Sequence, residues 1–186
     1  MKSVSMSGSL RENVGKKDAK AQRVKGLIPC VIYGGTEQLQ FVVGETQFRH
    51  LLFTPEVKYV ELEVENKKFT AVVQATQWHP ITDKLLHVDF LEVVDGKPVI
   101  IGLPVKLTGT SPGVLRGGKL VKKVRKLTVK GLLKDIPEEI MVDISNMEIN
   151  DMIKVGGLSI PNLTFVENPN TLIVSVASTR NVVEAQ

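Results

Sequence analysis

A single cysteine in 186 residues, Cys30, leaves no intrachain disulfide and no cysteine-only metal site. It lies in an apolar, β-branched stretch, so it reads as a small buried hydrophobe rather than a nucleophile. Aromatic residues make up only 5% of the chain, so a core must be built mainly from Val, Leu and Ile, which the 42% hydrophobic content permits. The start, MKSVSMSGSLRENVG, has no continuous apolar run of the signal-peptide kind, and no segment approaches the ~20 apolar residues that span a bilayer. A soluble cytoplasmic protein with no membrane partner is the expectation from those missing signals. Neither GxxxxGK[ST] nor GxGxxG occurs, and GTSPG at 109–113, which has the letters of GxSxG, is read as a turn between strands. No cofactor and no small-molecule substrate are therefore expected, and the chain is read as a non-enzyme.

What the chain does have is a cationic segment near its start, RENVGKKDAKAQRVKGLIPCVIYGG over residues 11–35. Arg11, Lys16, Lys17, Lys20, Arg23 and Lys25 face only Glu12 and Asp18 there. Residues 18–25 are rich in helix formers, Asp18 is placed to cap the start, and Gly26 stands where helices end in the left-handed conformation. Lys20 and Arg23, three apart, share a helix face; Lys16 joins them only if the helix begins about a turn before Asp18. Cations on one face of a short helix suit a run of phosphates, which fits the net charge of +4. Residues 30–33 then form a strand, closed by the turn Gly34-Gly35.

Period-two alternation recurs through the first half. Weak alternation over 2–10 and a short apolar run over 39–43 predict strands, and Phe48, Leu51 and Leu52 predict a helix over 45–53 that ends at Thr54-Pro55. Residues 57–65 set Val60, Leu62 and Val64 against Glu61, Glu63 and Glu65; Asn66-Lys67-Lys68 is a turn, and 69–77 returns as a strand. In the strand over 84–94, His87 and Asp89 lie on one face, Val88 and Phe90 on the other. Asp95-Gly96-Lys97-Pro98 marks a boundary, giving domains at 1–95 and 96–180 and a flexible tail at 181–186. Beyond it, strands over 99–107, 119–130, 140–144, 152–158 and 171–176, punctuated by Gly- and Pro-rich turns, predict a mainly β domain. Its run of Arg116, Lys119, Lys122, Lys123, Arg125, Lys126 and Lys130 reads either as a second nucleic-acid contact or as a lysine-protected edge strand. The second is favoured, since no aromatic interleaves the run to stack on a base.

His87 and Asp89 are the only pair with an enzymatic look, and with His79 they offer three metal ligands in principle, yet no flanking signature supports zinc. At an RNA surface they have another use. A carboxylate accepts from a base amino group or holds an arginine, and an imidazole donates or stacks. Tyr33 can stack or donate, and Gln74, on the strand face that also carries Val72, can read a base edge. Basic phosphate contacts beside a few polar base readers suit an irregular, widened RNA groove, because side chains cannot enter the narrow major groove of regular A-form.

These residues, in this order, resemble a bacterial ribosomal family of the large subunit that binds 5S ribosomal RNA, in its long two-domain form, also called general stress protein CTC. The resemblance rests on Arg11, on RVKGLIPCVIYGG at 23–35, HPITDKLLHVDF at 79–90, GLPVKLTGTSPGV at 102–114 and DIPEEIMVDISNMEINDMIKVGGL at 135–158. It implies an all-β protein: a six-stranded β-barrel with small helices, then a second mainly β domain. It implies, too, a monomer when free, located on the cytoplasmic ribosome, whose RNA contacts are Arg11, Lys20, Arg23, Tyr33, Gln74, His87 and Asp89 against the loop E region. Lys16 is added for its charge and position. Many relatives carry a second arginine after the position of Arg23; here Val24 stands in its place. Lys20 keeps the charge of the arginine found in some relatives but lacks its bidentate fork. A competing reading is an RNA or protein adaptor, because the anticodon-binding region of glutaminyl-tRNA synthetase is similar in fold.

Overall fold

Strict alternation is realised as strand throughout the first half. The computed structural model describes residues 1–179 apart from Thr36, Pro55, Asn66 and Asp95. The expected turns at 54–55 and 66–68, the boundary cluster at 95–98 and the tail at 181–186 therefore lie wholly or partly outside the described residues. The chain divides into two units, Met1–Val99 and a second that begins at Ile100.

In the first unit β1 (Lys2–Leu10), β2 (Leu27–Tyr33), β3 (Leu39–Gly44), β4 (Lys58–Val64), β5 (Lys67–Trp78) and β6 (Leu85–Glu92) close into a barrel in the order β1-β3-β2-β6-β5-β4. Helix α1 (Lys16–Val24) bridges β1 and β2, and a 3₁₀ turn over Glu45–Phe48 runs into α2 (Arg49–Leu52). The closure needs two parallel pairs, β1 with β4 and β2 with β6. Gly8 lets β1 approach β3: a Cβ there would lie 2.8 Å from the Phe41 ring and 3.0 Å from the Val42 carbonyl. The core is aliphatic, as the low aromatic content requires, around three buried rings. Phe90 stacks on Phe41 at 5.9 Å and on Phe48 at 6.5 Å between centroids. Cys30 is fully buried among them, and burial pushes its thiol far above the ordinary range, which suits the reading as an inert hydrophobe.

Several local expectations are corrected. Helix α1 starts at Lys16 rather than Asp18 and has no side-chain cap, because its N-cap residue is Gly15; Asp18 lies inside the first turn and is held by Arg11. Gly26 follows it at φ +76°, as the helix end requires. The expected helix over 45–53 is a 3₁₀ turn followed by a single α turn, with Phe48 and Leu51 buried as the pattern demanded. Lys67 and Lys68 belong to β5, not to the preceding turn.

The second unit is mainly β as expected. Strands β7 (Val99–Thr108), β8 (Lys119–Lys122), β9 (Lys126–Gly131), β10 (Ile140–Asp143), β11 (Met152–Lys154), β12 (Thr164–Phe165) and β13 (Leu172–Ala177) form a sheet ordered β10-β7-β9-β12 and another ordered β11-β13-β8. The stretch 119–130 is thus two strands in two sheets, broken at 123–125, where a β-rich composition gave no sign of the change. The strand expected over 152–158 stops at Lys154 and continues as a 3₁₀ turn. The glycine-rich loop at 109–113 runs into α3 (Pro112–Leu115), capped by the buried Ser111, whose hydroxyl also donates to the Met147 carbonyl at 2.6 Å. Strand β12, only two residues long, was too short for alternation to reveal.

Candidate nucleic-acid interface

Strand β6 organises the site. Val88 and Phe90 are buried in the barrel, so His87 and Asp89 face outward. His87 Nδ1 lies 2.7 Å from Asp89 Oδ1, an electrostatic contact without a hydrogen bond's alignment. Beside Asp89 on β2 stands Val31, and two residues along, Tyr33 pairs with Leu91. Tyr33 therefore shares the outer face with Asp89. On the other flank a β-bulge separates the pairs Val73 with Phe90 and Ala75 with Asp89. Gln74 is the extra residue, and it and Ala75 are both exposed. A bulge inverts the phase of the strand after it. Gln77 rather than Thr76 therefore joins the outer face, opposite His87. Alternation without the bulge would have put Gln77 on the inner side, which is why the sequence did not single it out.

Helix α1 borders this face. It has no buried residue and only nine residues, too few to stand alone in water. Three side-chain contacts hold it. Arg11 donates through Nε at 3.1 Å and Nη2 at 2.6 Å to Asp18 Oδ2, and Gln22 donates to Asp18 Oδ1 at 3.3 Å. Arg23 Nε donates to the Leu86 carbonyl at 2.9 Å. A second ladder irregularity, between Gln77 and Trp78, leaves Leu86 out of register with β5, so its carbonyl is open to Arg23. Starting at Lys16, the helix sets Lys16, Lys20 and Arg23 at i, i+4 and i+7 along one exposed stripe. The condition for Lys16 to join that stripe is met.

The sequence-predicted residues thus divide. Lys16, Lys20, Arg23, Tyr33, Gln74, His87 and Asp89 lie on the outer surface of α1, β2, β5 and β6, whose strands are adjacent in the barrel. Arg11 stands apart: its guanidinium is committed to Asp18 and its side chain is only 6% exposed. Val24 is 82% exposed, so no packing role explains it. His79 turns Nδ1 into its own hairpin, accepting from the Ile81 and Thr82 amides, and does not join His87 and Asp89. No metal-holding group of three such side chains occurs among the described residues. In the second unit, Arg116 pairs with Glu148 and Lys122 donates to the Val105 carbonyl; Lys119 and Lys122 sit on β8, an edge of its sheet.

The Asp18 clasp has a pH signature. The hydrogen bond from Arg11 holds the Asp18 carboxyl below the ordinary aspartate range, against a smaller opposing effect of burial and with help from Gln22. Because the folded value is depressed, the clasp contributes fully above the ordinary aspartate value and is lost as pH falls through the folded one. Asp18→Asn is expected to reproduce the acid effect at neutral pH. Hydrogen exchange should show faster amides across α1 with the barrel strands unchanged; equal protection in variant and parent would mean that the clasp does not hold the helix.

Comparison with known proteins covers both units. Residues 6–90 match the Ribosomal L25p family, and residues 98–180 match the family described as Ribosomal protein TL5, C-terminal domain. Similar proteins include three named Large ribosomal subunit protein bL25. That of Azobacteroides pseudotrichonymphae is 42% identical over 97% of this chain and 96% of its own length. That of Cytophaga hutchinsonii is 43% identical over 98% and 95%, and that of Porphyromonas gingivalis 42% identical over 97% and 95%.

Proposed function

The chain belongs to the ribosomal L25p family, in the two-domain form with a TL5-type C-terminal domain, and from that premise we propose that its first domain grips the loop E region of 5S ribosomal RNA. As a member of this family it is a structural constituent of the large ribosomal subunit, a class without enzymatic chemistry, and works on the cytoplasmic ribosome. The observation that carries the finer reading is the convergence of unlike side chains on one surface. The cationic stripe of α1 borders a strand face carrying Tyr33, Gln74, Gln77, His87 and Asp89. The stripe neutralises phosphates and supplies affinity; the polar strand face reads base edges. An acid belongs there only if it accepts from a base amino group or orients a cation, and Asp89, outward on β6 beside His87, is placed for either. Arg11 takes a holding role, keeping α1 in place through Asp18.

A gel shift with isolated 5S RNA and tRNA as competitor tests this against the adaptor alternative. Tight binding that tRNA does not displace is expected. Asp89→Asn should weaken binding roughly 10-fold, as loss of a base contact does, and Lys20→Ala should lower the slope of log affinity against log salt by about 1. Normal binding by Asp89→Asn would remove its base-reading role, and displacement by tRNA would favour the adaptor.

A further inference from the structure

Edge protection accounts for only part of the basic run in the second unit. Lys119 and Lys122 lie on β8, which ends its sheet, and lysines there discourage edge-to-edge pairing. Lys126 and Lys130 have no such duty. They lie on β9, which stands between β7 and β12 in the other sheet. Leu127 and Val129 are buried, so Lys126, Thr128 and Lys130 share the opposite face, and both lysines are exposed.

Neighbouring strands of a solvated face commonly set opposite charges across from one another. Here they do not. The residue across from Lys130 on β12 is Thr164, an exposed hydroxyl. Acids of the same sheet and its flanks are engaged elsewhere. Glu139 accepts from Lys106 at 3.0 Å, Asp143 accepts from the Ser145 amide and hydroxyl at 2.9 and 2.6 Å, and Glu167 accepts from the Thr128 amide at 2.6 Å. Among the described residues no acid pairs with Lys126 or Lys130. On β7 the same face carries Gly102, where a Cβ would meet nothing within 4 Å, so no bulky side chain obstructs it there.

Uncompensated cations beside hydroxyl donors suit phosphate, which accepts from both. Strands β7, β9 and β10 carry no aromatic, so this face has nothing on them to stack a base. It is built to hold a backbone and not to read a sequence, which fits RNA whose bases are already paired. As a constituent of the large subunit, the chain has such RNA for a neighbour.

We propose that the β9 face of the second unit docks on the phosphate backbone of a paired ribosomal RNA segment, through Lys126, Lys130 and the hydroxyls of Thr128 and Thr164. Four residues of strand put the two lysines about 13 Å apart at the backbone, so each takes a phosphate of its own. This contact lies beyond the loop E reading and does not depend on it.

The test uses the full chain and large subunits washed free of this protein. The double variant Lys126→Gln/Lys130→Gln should rebind roughly 10- to 100-fold more weakly near 0.1 M salt, and the slope of log affinity against log salt should flatten by about 2. Lys126→Arg/Lys130→Arg, which keeps both charges, should rebind within a few-fold of the parent. A photo-crosslinker placed at Thr164 should capture RNA in a paired segment. Parent-like affinity and slope in the glutamine variant overturn the proposal, and so does capture of a protein, which would make the face a protein contact. A parent chain that fails to shift isolated 5S RNA would sink the loop E reading alone. The proposal here is scored on the difference between glutamine and arginine variants at the subunit.

Discussion

Arg23→Ala is expected to weaken binding to 5S RNA by roughly 10- to 100-fold, the loss of a cation that makes more than one contact. Arg23 has two tasks on different atoms. Its Nε docks the end of α1 on the Leu86 carbonyl, and among the described residues no protein acceptor takes its Nη groups. Those groups are therefore open to a phosphate or a guanine edge, in the fork geometry that arginine alone provides. Removal leaves the Leu86 carbonyl near an exposed side chain, where water replaces the lost donor, so stability should fall by less than about 1 kcal/mol. Arg23→Lys should recover part of the electrostatic attraction but not the fork. Affinity at fixed salt, measured beside urea unfolding of the same variants, separates the two tasks. Parent-like affinity in Arg23→Ala would place the RNA elsewhere on the barrel.

Phe90→Ala is expected to cost the barrel about 3–5 kcal/mol, the range for deleting a fully buried aromatic. Phe90 is 0% exposed and lies against both Phe41 and Phe48, so truncation opens a cavity between two rings that neighbouring strands cannot easily fill. The same strand carries His87 and Asp89 on its other face, so loss of packing should loosen the proposed RNA-reading side as well. Trp78, the only tryptophan, lies in the first unit, so its emission reports barrel unfolding without interference from the second. The urea midpoint of Phe90→Ala should fall steeply, while Asp89→Asn, a surface change, stays near the parent. A loss below about 1 kcal/mol would show that the three rings are not the structural centre.

The strand over 84–94 was legible because burial and exposure alternate within a few residues, and both His87 and Asp89 lie where that pattern put them. The same holds for Val60, Leu62 and Val64 in β4. Reading failed where a side chain's partner is remote in sequence. Asp18 looks like a cap, yet it lies inside the first turn, held by Arg11, and the helix starts at Lys16, which brings that residue onto the stripe. Gln77 could not be found because the bulge at Gln74 has no glycine to mark it. The stretch 119–130 reads as one strand, since nothing local separates residues that end in different sheets.

Which residues go inside, and that a cationic helix precedes a mainly β chain, follow from sequence by itself, because side-chain period and charge are properties of near neighbours. The parallel pairing of β2 with β6, the slips at Gln74 and Leu86, and the docking of Arg23 belong to the tertiary structure. They are decided by register between strands dozens of residues apart, where closing the barrel and filling its core outweigh any local preference.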